Sequence, residues 1–448
     1  MPDADSVLAL LHILEVVRPA FAQRRTFGKF VAMAMGWILA PNRRRITQSL
    51  LATRLAGQQH HNRFYRLFSR DRWEPDELGR LFFHQIVRLV GPGGTLSVAI
   101  DDTVAHHKGP KVFALGTHLD AARSTRKFRI FCFGHCWIFL AVTVVFPGLS
   151  SHPFALPVLL RLYRTKKECA KSGAAYRKKT ELAREMLDVL VTWVDGRRVE
   201  IAADSAYCCD TVTRDLPEHL VLFGSMRPDA VLTSAPEKRK PGRSGRPRVR
   251  GRKVLPKPAA LAQDETVPWQ TATVQMYGRR QFVEFKSLVG QWYRPCGGRL
   301  LKIVVVRVYT GALPCRVFFS MDVSLEPEAI LAKYARRWSI EVTFRNLKQL
   351  MGFEHPQVRV TRSVQRMAPF VAMLYTAIVL WYVEHGCHMP QLVQPVGPWY
   401  RQKQHVAFED MIYAARKALI ASGVFDPIRD SDNLRNWLQP PADGKKAA

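Results

Sequence analysis

Acidic residues are scarce in this sequence: 37 Asp and Glu stand against 67 Lys and Arg, leaving a formal charge of +30 and a pI of about 10.2. A chain this cationic repels itself unless a polyanion relieves it, so nucleic acid or an anionic membrane surface is the implied partner. Cysteine is also sparse, with eight in 448 residues and no Cys-x-x-Cys pair, which argues against a disulfide framework or a structural zinc site. Cys132 and Cys136, on either side of His135, and the pair Cys208 and Cys209 read as core residues beside apolar runs. The apolar stretch Met367 to Val383 falls a little short of the ~20 residues of a membrane-spanning helix and reads as a buried or subunit-contacting helix with Pro369 near its start. Asp3 and Asp5 stand where a secretory leader would be basic, so the expectation is a cytoplasmic protein with no membrane association. No internal repeat is visible.

What remains is a globular composition, 47% hydrophobic and 23% charged. Residues 1–90 read as helices: Val7 to Ala22, Gly28 to Leu39, Thr47 to Leu55 and Asn62 to Phe68. Between the second and third lies a basic turn, Arg43, Arg44 and Arg45, with Thr47 as a candidate N-cap. Two readings stand: a helix-turn-helix whose arginines hold phosphates, or a helical cap with a solvated basic turn. From Thr95 the pattern becomes strands (Leu96 to Ile100, Trp137 to Phe146, Phe154 to Leu162), a helix (Tyr176 to Val194), then strands at Val199 to Ala203 and Leu220 to Phe223. That order implies an α/β fold with a mixed sheet, as in ribonuclease H-like nucleases.

Pro236 to Pro258 cannot build a core. Lys238, Arg239, Lys240, Arg243, Arg246, Arg248, Arg250, Arg252 and Lys253 lie there among Gly and Pro, making a cationic loop suited to phosphates. Its Gly245-Arg246-Pro247-Arg248 core leaves a minor-groove hook open beside a non-specific strap. Strand-like segments follow at Leu301 to Tyr309 and Arg316 to Met321, and a helix runs from Pro327 past Lys348.

Two strands end in acids, Ala99-Ile-Asp101-Asp102-Thr103 and Ala203-Asp204-Ser-Ala-Tyr207. Acids at the carboxyl ends of neighbouring strands meet at one sheet edge, where their repulsion calls for divalent cations. On the later helix, Tyr334, Arg337, Glu341 and Lys348 fall within an arc of roughly 60° at ~100° per residue, so one face offers a carboxylate flanked by cations. Three carboxylates suit two Mg²⁺ or Mn²⁺ ions clamping an in-line phosphoryl displacement. Arg337 and Lys348 would then hold the flanking phosphates.

The spacing of Tyr334, Arg337, Glu341 and Lys348 resembles the Tyr-Arg-Glu-Lys signature of DDE-type transposases from bacterial insertion sequences, and the two aspartate segments resemble that group's first and second motifs. The resemblance covers about residues 90–360. It implies a ribonuclease H-like catalytic core with catalytic and metal-binding Asp102, Asp204 and Glu341, since the pattern puts the metal-binding aspartate directly before the threonine; Asp101 is the alternative. It further implies cleavage at the ends of a mobile element, strand transfer of the freed 3′-ends into target DNA, and a homodimer on DNA, hence a nucleoid-associated protein. Some members hold a flipped base on an aromatic residue, for which Trp292 and Trp338 are candidates beside a core or stacking role. His106, His107 and Lys108 could contact DNA near the metals.

The expected division is a helical DNA-end-binding region (1–90), the first part of the core (91–226), a β-rich insertion (227–324) containing the cationic loop (236–258), the glutamate helix (325–360), and a helical C-terminal region (361–448) that could dimerise. Two other functions fit the same features. One is a non-catalytic basic DNA-binding protein or domesticated transposase, and the other is a nuclease that cuts without joining.

Overall fold

The computed structural model describes residues 2–91, 93–120, 123–125, 127–237, 248–307, 315–389 and 405–423. Its centre is a mixed twelve-stranded sheet. The strands are β1 (Leu96–His106), β2 (Gly116–Leu119), β3 (Phe131–Val144), β4 (Phe154–Tyr163), β5 (Val199–Ala203), β6 (Leu220–Met226), β7 (Leu232–Thr233), β8 (Val254–Leu255), β9 (Gln270–Met276), β10 (Arg279–Gln291), β11 (Leu300–Arg307) and β12 (Cys315–Ser320). β1 is flanked by antiparallel β3 and parallel β5, and β6 runs parallel to β5 on its far side. β3, β5 and β6 are apolar nearly throughout, as strands covered on both faces must be, and β1 is apolar up to Ile100 except at Ser97.

The helix Lys179–Val191 connects the antiparallel half of the sheet to β5 and packs on β3 and β4. The 227–324 segment is strand-rich, yet it is no separate body. Its last strand, β12, pairs antiparallel with β6, so the segment continues the same sheet through β11 and β10.

The first ninety residues are helical, with Pro2–Glu15, Arg24–Leu39, Ile46–Ala52, Asn62–Ser69 and an unanticipated fifth helix, Pro75–Val90. Arg24–Leu39 is buried from Thr26 to Ile38 except at Lys29. A helix so largely buried belongs to the core. The third helix begins at Ile46 with Arg45 in the N-cap position, so Thr47 does not cap it.

These helices pack against Thr361–Glu384, which supplies Phe370 to an aromatic cluster with Phe30, Trp37 and Phe68. The helical stretch Thr361–His388 is long and apolar enough to cross a membrane, but 83% of its most apolar window is buried within the fold. It starts six residues before Met367, so Pro369 lies inside the helix. Arg366 on the same helix is buried and donates to the carbonyls of Asp71 (2.7 Å) and Trp73 (2.6 Å), tying the N-terminal helices to it.

Candidate active site

The register between β1 and β5 decides which acids share a face. Ile100 lies beside Ala203, so the next positions along these parallel strands are Asp101 and Asp204. Residues side by side in a parallel pair project to the same face, and the following residue projects to the other. Asp101 and Asp204 therefore share a face, and Asp102 is turned away. This corrects the expectation that Asp102 joins Asp204 and Glu341; the side chain brought to them is that of Asp101.

Glu341 arrives on the helix Trp338–Gln349, which crosses that same face. Phe344 and Phe353 pack on Phe139, the β3 residue directly opposite Asp101. Thr343 donates to the carbonyl of Ala155 in β4 at 2.9 Å. The single helix expected from Pro327 onward is in fact two, Pro327–Ala335 and Trp338–Gln349, broken at Arg336 and Arg337 by short-range bonds such as Arg337 N–H to the Tyr334 carbonyl. The first of the two is pinned by Lys333, whose Nζ reaches both oxygens of Glu200 in β5 at 2.7 Å.

The break places Arg337 among the acids. Its guanidinium donates to Asp101 Oδ2 at 2.5 Å and to Glu341 Oε1 at 2.9 Å, and it lies 5.8 Å from the Tyr334 ring. Burial, only partly offset by Arg337, pushes the Asp101 carboxyl up to about 7, with repulsion from Asp102 and Asp204 adding to it. Glu341 is raised for the same reasons, burial first, with Asp204 again contributing. Carboxylates gathered this closely call for a cation, and among the described residues Arg337 bridges two of them. Its Nε is buried without a partner. A set of only carboxylate oxygens fits hard ions such as Mg²⁺ or Mn²⁺, so the residues present fit the divalent metal that the fold's chemistry implies.

Asp102 is occupied on the opposite face. It accepts from Tyr207 Oη (2.6 Å) and Lys179 Nζ (2.6 Å), and the Cys136 thiol lies 3.4 Å away. Burial and the neighbouring carboxylate raise both Tyr207 and Cys136, so each stays protonated and can donate. Tyr207 closes the short turn Ser205–Tyr207 that follows Asp204. The Tyr207–Asp102 bond thus ties the end of β1 to the turn after β5 and fixes Asp204 relative to Asp101. No role had been assigned to Lys179 or Tyr207 from sequence; the usable signals were a lysine heading an amphipathic helix and a tyrosine three residues past an acid.

Other expected residues are placed less centrally. Lys348 lies two turns beyond Glu341, near enough to Asp120 to help lower its pKa. Arg44 is buried, its Nε donating to the Trp37 carbonyl at 2.9 Å and its backbone N–H to His355 Nδ1 at 3.1 Å, and burial brings its pKa down to about 10. It anchors the fold and is not available to phosphate, whereas Arg43 is exposed and Arg45 half-buried. In the cationic loop, Lys238, Arg239, Lys240, Arg243 and Arg246 lie outside the described residues; Arg248, Arg250, Arg252 and Lys253 are exposed.

Trp338 is 50% exposed with Tyr277 edge-on at 6.1 Å, and Trp292 packs on Phe319. Cys132, Cys136 and Cys208 are buried, as the core reading held, and Cys209 is half-buried. Cys132 also joins His106 and Asp120, with ligand atoms within 4.8 Å of one another. Arg123 already engages both Asp120 oxygens, and a thiol is too soft a donor for the hard ion expected.

A mixed sheet bearing carboxylates at adjacent strand ends, with a third acid on a crossing helix, is the candidate catalytic arrangement of this chain. The chain belongs to the DDE superfamily endonucleases, whose family model matches residues 17–281. A second model, described as "Archaeal putative transposase ISC1217", matches residues 284–383. Among solved structures, the cryo-EM piggyBac transposase synaptic complex with hairpin DNA aligns over 95% of this chain and 78% of that one, at 11% identity and a TM-score of 0.43. No curated protein matches the chain.

Proposed function

We propose that this protein is a cut-and-paste DNA transposase of the Tyr-Arg-Glu-Lys subgroup found in bacterial insertion sequences, acting at the element's terminal repeats and on target DNA in the cytoplasm. The observation that carries this reading is the meeting of Asp101, Asp204 and Glu341, from three separate segments, on one sheet face around Arg337. The order of three antiparallel strands, a helix and two parallel strands supports a ribonuclease H-like core, formed by residues 91–226 and 325–360 and carrying the 227–324 segment as an insertion. Family membership supports DNA as the partner. A homodimer on DNA, with the 361–448 region contributing, belongs to the same proposal.

Two divalent ions held by the three acids would activate water or a DNA 3′-hydroxyl and stabilise the departing 3′-oxygen. The chain's own contribution is position and charge. Asp101 and Asp204 are fixed by strand register, and Glu341 by the Thr343 and Phe344 contacts of its helix. Arg337 holds the acids together before catalysis and is placed to turn its guanidinium toward a phosphate that arrives there. The test is a supercoiled plasmid carrying the element's ends, incubated with Mg²⁺. Cleavage that disappears in Asp101→Ala, Asp204→Ala and Glu341→Ala supports the reading, and cleavage that persists in all three removes it. Pre-cut ends with target DNA separate joining from hydrolysis alone: absence of joined product would reduce the protein to a nuclease.

A further inference from the structure

A cleft of about 1550 Å³ opens beside the end of β1. Its walls come from four segments distant in sequence: the basic turn around residue 44, the Asn62–Ser69 helix end, the loop following β1, and the stretch after the glutamate helix. Arg43, Arg45, Arg70, Lys108, Lys111 and Arg359 line it. Among the described residues none of these six has an ion-pair partner, and Arg45 Nε is buried without a hydrogen-bond partner. Glu354 is the acid on this wall, and its carboxylate is engaged by the His106 backbone N–H at 2.9 Å.

The cleft is preformed. Arg44 is the buried anchor of the turn, so that Arg43 and Arg45 on either side of it line the cleft. Trp37 Nε1 donates to the Met351 carbonyl at 2.9 Å, which fastens the N-terminal helices to the chain just past the glutamate helix. Gly352 follows with φ +64°, where an added Cβ would meet Arg44 Cβ at 3.0 Å. The opposite wall is tied by the Phe113 N–H to Arg359 carbonyl bond at 2.9 Å.

We propose that this cleft binds the phosphate backbone of duplex DNA flanking the scissile bond, an assignment that rests on the transposase reading. His106 lies five residues along β1 from Asp101, about 17 Å at strand spacing. With one phosphate per about 3.4 Å along each strand, the contacted phosphates begin about five nucleotides from the cut. Unpaired cations converging on one preformed channel from four segments match a regularly spaced polyanion better than a small anion, which one or two of them would satisfy.

The experiment measures binding of a fluorescein-labelled duplex of about 30 base pairs and mixed sequence across a salt series, because phosphate contacts are independent of sequence. The variants are Lys108→Ala/Lys111→Ala/Arg359→Ala and, separately, Arg43→Ala/Arg45→Ala, with thermal melts to confirm folding. Each lost contact should flatten the log–log salt slope by about 0.9, so the triple variant should lose up to about three units. On a second duplex that carries the element's terminal sequence, methylphosphonates about five nucleotides from the cleaved end should weaken wild type and leave the triple variant unaffected. A folded triple variant with wild-type affinity and slope overturns the cleft assignment while leaving the transposase reading intact. Wild-type protein that shows no salt-dependent duplex binding brings down that reading as well. Binding of polyglutamate lost in the triple variant, with duplex affinity intact, would give the cleft to an acidic protein and also overturn the proposal.

Discussion

Lowering the pH should strip divalent metal from this site well above the range where ordinary carboxylates titrate. Burial lifts Asp101 from 3.8 to about 7, and Glu341 moves the same way. A metal must displace the proton that Asp101 carries below that value. At pH 6 only about a tenth of Asp101 is ionised, so the apparent Kd for Mn²⁺ should weaken about tenfold for each pH unit below 7, each unit being worth about 1.4 kcal/mol. Above about pH 8 the affinity should level off.

The same shift sets a stability trend with the opposite sign to that of a salt-bridged aspartate. Between pH ~4 and ~7 the metal-free folded state keeps a proton that the unfolded chain has released, so stability falls as pH rises through that window. The fall should amount to about 4 kcal/mol at most. Isothermal titration with Mn²⁺ between pH 5.5 and 8.5, alongside denaturant melts without metal, measures both effects. A Mn²⁺ affinity flat across that range would refute the buried, mutually repelling arrangement of the acids.

Asp102 should behave as a positioning residue. Asp102→Asn leaves Lys179 without its counter-charge and should cost about 2 kcal/mol in denaturant melts, while Asp102→Asn/Lys179→Met recovers part of the loss; additive single effects would show that the pair is not coupled. Gly79→Ala should destabilise by about 3 kcal/mol, because its Cβ would sit 1.8 Å from the Val158 carbonyl oxygen where the Pro75–Val90 helix meets β4; an unchanged melting temperature would contradict that packing. Glu200→Gln should cost about 2 kcal/mol by leaving Lys333 unpaired against β5, and a loss below a few tenths would mean that the ion pair does not hold the Pro327–Ala335 helix.

Local signals carried much of the fold. The strand Val199–Ala203 is legible to the residue because a short apolar run ends at an acid, and the longer strands and the main helix through Met226 follow from apolar runs, whereas the short strand Gly116–Leu119 and the helix Lys166–Ser172 carry no such signal. Non-local features were beyond reach. Which of Asp101 and Asp102 faces Glu341 depends on how β1 registers against β5, about a hundred residues away, and a one-residue slip inverts the answer. The break at Arg336 and Arg337 leaves no mark on helical periodicity, yet it sets where Arg337 sits. The burial of Arg44 follows from docking against His355 and Trp37, partners that no local pattern around the basic turn reveals.

Crystals soaked in Mn²⁺ and measured at an anomalous wavelength would test the central arrangement most directly. The account predicts anomalous density between the carboxylates of Asp101, Asp204 and Glu341, with Arg337 displaced from between them. Density at Asp102 beside Lys179 and Tyr207, with none on the opposite face of the sheet, would contradict it.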